Sequence, residues 1–252
     1  MQITIDHLRN MKQAGEKIPT ITAYDYTSAR IIDQIGIPLI LVGDTLGQVV
    51  LGYGSTLPVT MQDMVHHTKA VSRGSTNALI VADMPFMSYQ ASLEDAVRNA
   101  GRFVKEGGAE AVKLEGGVAY TAQIKAIIDA GIPVMGHVGL LPQSFHLSSG
   151  YRIQGKTLLE AEKIFSDAIA VQDSGAFAVV LEGIPANLAE KITKKLNIPT
   201  VGNFRENDLI NGGQGAPIGS FYHKYILNKI DNKACIINLG GIANITYAKK
   251  EK

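Results

Sequence analysis

Five apolar runs in this sequence end in an acid or a histidine. Leu39 to Gly47 reads Leu-Ile-Leu-Val-Gly-Asp-Thr-Leu-Gly, and Asp44 stands where the apolar stretch stops. Ala78 to Asp83 ends in Asp83, Ala111 to Gly116 carries Glu115, Pro133 to Gly139 carries His137, and Phe177 to Gly183 carries Glu182. Short apolar runs closed by glycine turns read as parallel strands buried on both faces. The carboxyl ends of such strands are where a (β/α) barrel gathers its active site. Carboxylates with one histidine and no nearby cysteine suit a hard cation such as Mg²⁺, which takes oxygen ligands; Zn²⁺ would draw on more nitrogen or sulfur. The chemistry this pattern supports is a metal enolate, in which a keto acid is chelated by Mg²⁺ and a glutamate acts as base.

Each residue also has a plainer explanation. A lone Asp at a strand end is often the N-cap of the next helix, and for Asp25 that role and substrate contact stay equally open. For Asp44 the cap is the weaker account, because three more acids occupy the equivalent place. Lys113 lies two residues before Glu115, so both share one strand face. A buried lysine needs carboxylate partners. Lys113 is then a structural ion pair or a clamp for an anionic substrate, and its place at the barrel mouth favours the clamp. His137, in Gly-His-Val-Gly, fits a site better than a core. His66 and His67 are expected on the surface, and Tyr24 is expected to pack.

The elements that position these residues alternate along the chain. An amphipathic helix over 2–15 precedes strands at 19–24, from 39, at 78–83, 111–115, 134–138 and 177–181, and from 199. Helices are expected at 28–35, from Thr60, from Ser92 to Glu106, at 119–130, 158–174 and 186–196. Thr60 with Asp63, and Ser92 with Asp95, have the spacing of a capping pair. Gly36-Ile-Pro, Gly131-Ile-Pro and Asn197-Ile-Pro each close a helix and open a strand. The repetition predicts a closed α/β barrel of the TIM type. Residues 48–58 are expected as a loop, and 140–156 as a polar loop able to act as a lid. No glycine-rich dinucleotide fingerprint follows the first strand.

Composition narrows the class. The chain has 252 residues, 46% hydrophobic and 19% charged, enough apolar content for a sizeable core. The formal net charge of +1 gives no general pull toward nucleic acid or an anionic membrane. Cys235 is the single cysteine, so no disulfide framework is expected. The start shows no secretory pattern and no run nears the roughly 20 residues of a membrane span, so a soluble cytoplasmic protein is expected.

Six motifs carry a resemblance. Val-Gly-Asp-Thr-Leu-Gly (42–47), Ala-Asp-Met-Pro-Phe (82–86), Val-Lys-Leu-Glu-Gly (112–116), Gly-His-Val-Gly-Leu (136–140), Gly-Tyr-Arg-Ile-Gln-Gly-Lys (150–156) and Leu-Glu-Gly-Ile-Pro (181–185) resemble the ketopantoate (3-methyl-2-oxobutanoate) hydroxymethyltransferase family. The likeness covers roughly residues 2–202. It implies a (β/α)8 barrel of the phosphoenolpyruvate/pyruvate group and Mg²⁺ as cofactor. It also implies a hydroxymethyl group passed from 5,10-methylenetetrahydrofolate to 3-methyl-2-oxobutanoate, giving 2-dehydropantoate for pantothenate synthesis, and a homo-oligomer. By the same resemblance Asp44, Asp83 and Glu115 are metal ligands, and Asp44, Thr45, Asp83, Lys113 and His137 bind substrate. Thr45 stands where the family usually has serine and keeps the hydroxyl. Glu182 is the base that removes the C3 proton, and a desolvated glutamate with a raised pKa would suit that task.

The likeness stops at Gly202. The expected glycine-rich segment, eighth strand and last helices are replaced by Asn203-Phe-Arg-Glu-Asn-Asp-Leu, Asn211-Gly-Gly-Gln-Gly-Ala-Pro and Ile237-Asn-Leu-Gly-Gly-Ile-Ala-Asn-Ile-Thr. That tail is similar to an internal piece of the anhydro-N-acetylmuramic acid kinase family. Two domains follow: a barrel over 1–202, truncated after strand seven, and a foreign kinase-like fragment over 203–252. The fragment lacks that family's phosphate loop, so no kinase activity is expected. A helix at 219–229 and a strand at 234–239 offer a minority route to closing the barrel. Two alternatives remain: an inactive or impaired fusion product, and another metal-enolate barrel enzyme. The second alternative would need a cysteine in the lid.

Overall fold

The computed structural model describes residues 2–144, 146–147, 152–202, 233–239 and 243–249. The chain divides into two compact units, Met1–Gly202 and Asn203–Lys252. In the first, α1 (Ile5–Gln13) leads into β1 (Thr20–Thr22), α2 (Tyr26–Ile35), β2 (Leu39–Val42), the short α3 (Leu46–Val49), α4 (Met61–Gly74) and β3 (Leu79–Asp83). Next come α5 (Leu93–Arg102), β4 (Ala111–Glu115), α6 (Thr121–Asp129), β5 (Val134–Gly139), α7 (Leu158–Asp173), β6 (Ala178–Glu182), α8 (Ala186–Lys195) and β7 (Thr200–Val201). All seven strands run parallel in sequence order, β1 to β7, in a nearly closed barrel. Among the described residues no pairing joins β7 back to β1.

Strand parity sorts the core into two layers. Leu39, Leu79, Val81, Ala111, Met135, Ala178 and Val180 form one buried cluster, the barrel interior. The residues between them, Ile40, Ile80, Val112, Leu114, Val134, Val179 and Leu181, belong to the larger cluster under the helices. Leu8 of α1 joins the interior cluster with no exposed surface, so α1 plugs the amino end of the barrel. Continuing the inward parity upward reaches Asp83 on β3, Lys113 and Glu115 on β4, His137 on β5 and Glu182 on β6. Apolar layers below and polar groups at the carboxyl end follow from the side-chain period of two.

Local signals act largely as the sequence predicts. Thr60 and Asp63 form a reciprocal capping box at the start of α4, and Ser92 accepts a hydrogen bond from the Asp95 N–H. Gly36 and Gly131 end α2 and α6 in the left-handed conformation that glycine adopts without a Cβ penalty. The third phrase, at Asn197, works differently. Asn197 does not take a positive φ, and its N–H donates to Gln172 Oε1 at 2.7 Å.

Three expectations need correction, and one open choice gains an observation. Residues 46–49, inside or beside the expected loop, wind into α3. The helix from Ser92 ends at Arg102 and continues as a single π-helical stretch, Phe103–Gly107, before Gly108. The helix expected at 119–130 opens as a 3₁₀ turn, Val118–Tyr120. Asp25 is the N-cap of α2, accepting from Ser28 N at 2.9 Å, which selects the structural account of that residue.

In the second unit, β8 (Lys233–Leu239) and β9 (Ala243–Lys249) form a two-stranded antiparallel sheet, with Cys235 opposite Tyr247. The strand expected at 234–239 therefore pairs with 243–249 in its own sheet rather than standing as an eighth barrel strand. The helix expected at 219–229 and the 148–151 part of the expected lid lie outside the described residues. No described helix is long and apolar enough to cross a membrane.

Candidate active site

Parallel register assembles the mouth. Asp83 is the cross-strand partner of Lys113, Glu115 of His137, and Glu182 of Gly139. Lys113 Nζ lies 2.7 Å from Asp83 Oδ1, with both side chains about 95% covered. Asp83 Oδ2 accepts from the Asp44 N–H at 3.1 Å, which draws the turn after β2 against β3. His137 Nε2 is 3.2 Å from Glu182 Oε2, and its Nδ1 is 3.8 Å from Glu115 Oε1. Thr45 Oγ1 shares a 2.7 Å hydrogen bond with the Tyr24 hydroxyl. Gly43 makes this approach possible: a Cβ there would lie 2.9 Å from Thr45 Oγ1 and 3.6 Å from Asp83 Oδ2.

Asp44, Asp83, Glu115, Lys113 and His137 are all buried. Three carboxylates face one ammonium, so two negative charges are in excess when all are ionised. Burial and the Asp83 charge push the Asp44 carboxyl up to about 7, against Lys113 and a hydrogen bond from Gln143. Burial likewise pushes Glu115 up to about 8, although Lys113 opposes it. Burial would lower the Lys113 pKa, but Asp83, Glu115 and Asp44 outweigh it, so the lysine stays protonated. Burial and the Lys113 charge hold His137 below its ordinary value, so its imidazole is neutral at pH 7.

Excess buried negative charge is what a divalent cation relieves. Among the described residues no three acid, histidine or cysteine groups already converge on one point. Mg²⁺ commonly takes one or two carboxylates and completes its shell with water or substrate oxygens. Asp83 Oδ1, which has the lysine beside it but no well-formed hydrogen bond, also remains a ready donor. The residues therefore fit such an ion by ligand chemistry and by charge.

The structure brings together every site residue the sequence singles out: Asp44, Thr45, Asp83, Lys113, Glu115, His137 and Glu182. Three expectations change in detail. Tyr24 does more than pack, because its hydroxyl engages Thr45. His67 is half-buried, with Nδ1 at 2.6 Å from Tyr24 O, while His66 is exposed. Glu182 stands at the rim with 39% of its side chain exposed, so it is only partly desolvated. Gln143 was not singled out at all, yet its Nε2 donates to Asp44 Oδ2 at 2.9 Å and its N–H to Glu115 Oε2 at 3.0 Å. A groove of about 520 Å³ lined by Thr4, Arg9, Ile128 and Phe177 lies at the amino end of the barrel, away from these groups.

The fold is a (β/α) barrel like that of phosphoenolpyruvate mutase/isocitrate lyase superfamily members, with an acid-lined mouth. A solved 2,3-dimethylmalate lyase of that superfamily overlays with a TM-score of 0.59 at 20% identity, covering 82% of this chain and 74% of that one. A phosphonopyruvate hydrolase in complex with oxalate and Mg²⁺ overlays with a TM-score of 0.56 at 14% identity, covering 91% of this chain and 90% of that one. At sequence level the ketopantoate hydroxymethyltransferase model matches residues 2–203, and the chain belongs to that family. The 3-methyl-2-oxobutanoate hydroxymethyltransferase of Carboxydothermus hydrogenoformans is 58% identical over 201 residues, covering 80% of this chain and 73% of that protein. The enzyme of the same name from Dehalococcoides mccartyi is 59% identical over 202 residues, covering 80% and 72%. A second model, anhydro-N-acetylmuramic acid kinase, matches residues 178–252 and overlaps the first over 178–203.

Proposed function

We propose that the chain transfers a hydroxymethyl group from 5,10-methylenetetrahydrofolate to 3-methyl-2-oxobutanoate, giving 2-dehydropantoate, with Mg²⁺ as cofactor. The observation that carries this reading is the buried trio Asp44, Asp83 and Glu115 facing the single ammonium of Lys113, at the mouth of a barrel of this family. Asp44, Asp83 and Glu115 are the residues that would hold Mg²⁺. When bound, the ion supplies the positive charge that a developing enolate oxygen needs. Lys113, kept protonated by its neighbours, offers a fixed positive charge to the keto-acid carboxylate, and Thr45 offers its hydroxyl. His137, neutral and with Nε2 3.2 Å from Glu182 Oε2, has one N–H, which orients the Glu182 carboxylate or turns to hold a substrate oxygen. Glu182 would take the proton from C3; the electron pair left on that carbon forms the new bond to the folate-borne methylene as one of the methylene–nitrogen bonds breaks, and a water molecule supplies the hydroxyl as the second carbon–nitrogen bond breaks and tetrahydrofolate leaves. Water exclusion by bound substrates would supply the desolvation that the exposed rim lacks.

On this reading residues 1–202 are the catalytic domain and 203–252 a kinase-derived appendage without kinase activity. The protein would be cytoplasmic and homo-oligomeric, binding neither nucleic acid nor membrane. A second reading, an impaired fusion product, is favoured by one observation: no pairing closes β7 onto β1 among the described residues. A different metal-enolate enzyme is disfavoured, because the chain has no cysteine before Cys235.

The test is proton exchange at C3 of 3-methyl-2-oxobutanoate in D₂O with Mg²⁺, for the parent and for Glu182→Gln. Exchange in the parent that is lost in the variant is expected. Soluble parent protein that binds the metal and exchanges no proton would overturn the proposal in favour of the impaired product.

A further inference from the structure

The amide of Gln143 makes four hydrogen bonds in the barrel mouth. It sits in the 3₁₀ turn Pro142–Ser144 after β5, and the residue is 6% exposed. Its two Nε2 protons go to Asp44 Oδ2 and to the Met84 carbonyl, both at 2.9 Å. Its Oε1 accepts from the Tyr89 hydroxyl at 3.0 Å and from Gln90 Nε2 at 3.1 Å. The Met84 carbonyl can only accept, which settles which end of the amide is nitrogen. An amide with all four positions filled cannot turn without breaking bonds in a buried place, where each lost bond is costly.

The backbone of the same residue holds a second carboxylate: Gln143 N–H donates to Glu115 Oε2 at 3.0 Å. Tyr89, 1% exposed, closes the circuit. Its hydroxyl accepts from the Glu115 N–H at 3.2 Å and lies 3.1 Å from the Glu115 carbonyl, so it pins the end of β4 as well as Gln143. One oxygen each of Asp44 and Glu115 is thereby occupied by one residue, and the other oxygen of each is left unengaged by Gln143.

We propose that Gln143, seated by Tyr89, is a positioning residue that fixes Asp44 and Glu115 so that one oxygen of each is left for a divalent cation. The inference rests on the metal reading above and adds to it a residue outside the ligand set. Residues that orient ligands in this way typically influence metal affinity about 10–100-fold.

The experiment titrates Mn²⁺ into the full chain, reading free Mn²⁺ by electron paramagnetic resonance, with thermal melting alongside. Gln143→Met keeps the length and the backbone N–H but removes the amide. It is expected to weaken Mn²⁺ binding about 10-fold or more. Tyr89→Phe keeps the ring and is expected to weaken it in the same direction and by less. A Gln143→Met chain that melts earlier yet binds Mn²⁺ as the parent does would make Gln143 merely structural and overturn the proposal. If Gln143→Met does not fold, Tyr89→Phe decides: unchanged Mn²⁺ affinity overturns the proposal and weakened affinity supports it. A parent chain that binds no Mn²⁺ overturns the metal reading and this inference together, whereas a binding parent with equally binding variants overturns the inference alone.

Discussion

Lys113→Met is the substitution with the largest consequence for the mouth of the barrel. The lysine is 5% exposed and its ammonium lies 2.7 Å from Asp83 Oδ1. Methionine fills similar space but leaves Asp44, Asp83 and Glu115 without a cation. Removing one partner from a buried pair costs about 3–5 kcal/mol. With a urea slope of about 3 kcal/mol/M, that moves the unfolding midpoint down by about 1–1.7 M. The loss depends on pH in a defined direction. Asp44 and Glu115 already have folded pKa values raised to about 7 and about 8, above their unfolded values of 3.8 and 4.5. Groups of this kind bind more protons folded than unfolded, so their contribution becomes less favourable as pH rises between those limits. Losing Lys113 raises both further. The penalty should therefore be greatest near pH 8, smaller at pH 5 where Asp44 and Glu115 carry protons, and partly relieved by millimolar Mg²⁺. The assay is urea unfolding of parent and variant, metal-free, at pH 5 and pH 8, then with Mg²⁺ at pH 8. Equal midpoints at pH 8, or a penalty that grows on acidification, would refute the charge accounting.

Three further outcomes follow from other contacts. Asp33 at the end of α2 accepts from Ser75 Oγ at 2.7 Å and from the Asn77 and Ala78 N–H groups at 2.9 Å. Asp33→Ala should cost about 2–4 kcal/mol in urea unfolding. Burial opposes ionisation of Asp33, but these donors hold its pKa below the ordinary value. Its stabilisation is therefore present above about pH 4 and fades on acidification, and a deficit unchanged at low pH would contradict this. Thr45→Val removes the hydroxyl that meets Tyr24 at 2.7 Å and should raise the keto-acid KM about tenfold or more, while Thr45→Ser stays near the parent. Equal KM values for all three would end the substrate-contact role. A Cβ on Gly136 would stand 2.3 Å from Val171 Cγ1, so Gly136→Ala should cost about 1–3 kcal/mol and be partly rescued by Val171→Ala, as melting curves would report.

The strand ends were readable because two local signals coincide there, an apolar run and an acid beside glycine. Lys113 and Glu115 were placed on one face by the period of the strand alone. The supporting residues were not readable in this way. Gln143 meets Asp44 across 99 positions of chain, and nothing around Pro142-Gln-Ser carries a trace of that partner. Asp33 looks like an ordinary helix residue, because its four partner residues lie 42–45 positions later. Glu182 was expected to be desolvated because that would suit a base, but exposure at the rim depends on what covers the mouth. The π-helical stretch after Arg102 lies in a helix pattern that reads as continuous in the sequence.

Among the described residues the break in pairing lies between β7 and β1, and unpaired strand edges are a hazard for solubility. The acids and their supports come from β3 to β6 and from the turns after β2, β3 and β5. Asp83 and Lys113, then Glu115 and His137, are register partners inside the continuous part of the sheet. Tyr24, just past β1, reaches the site from the seam side through Thr45. A fault at the seam would therefore reach the Tyr24–Thr45 bond before Asp83 and Glu115, which lie on β3 and β4. An impaired chain should lose keto-acid affinity while still binding the cation, and a chain that keeps both has its chemistry in the part of the barrel that is whole.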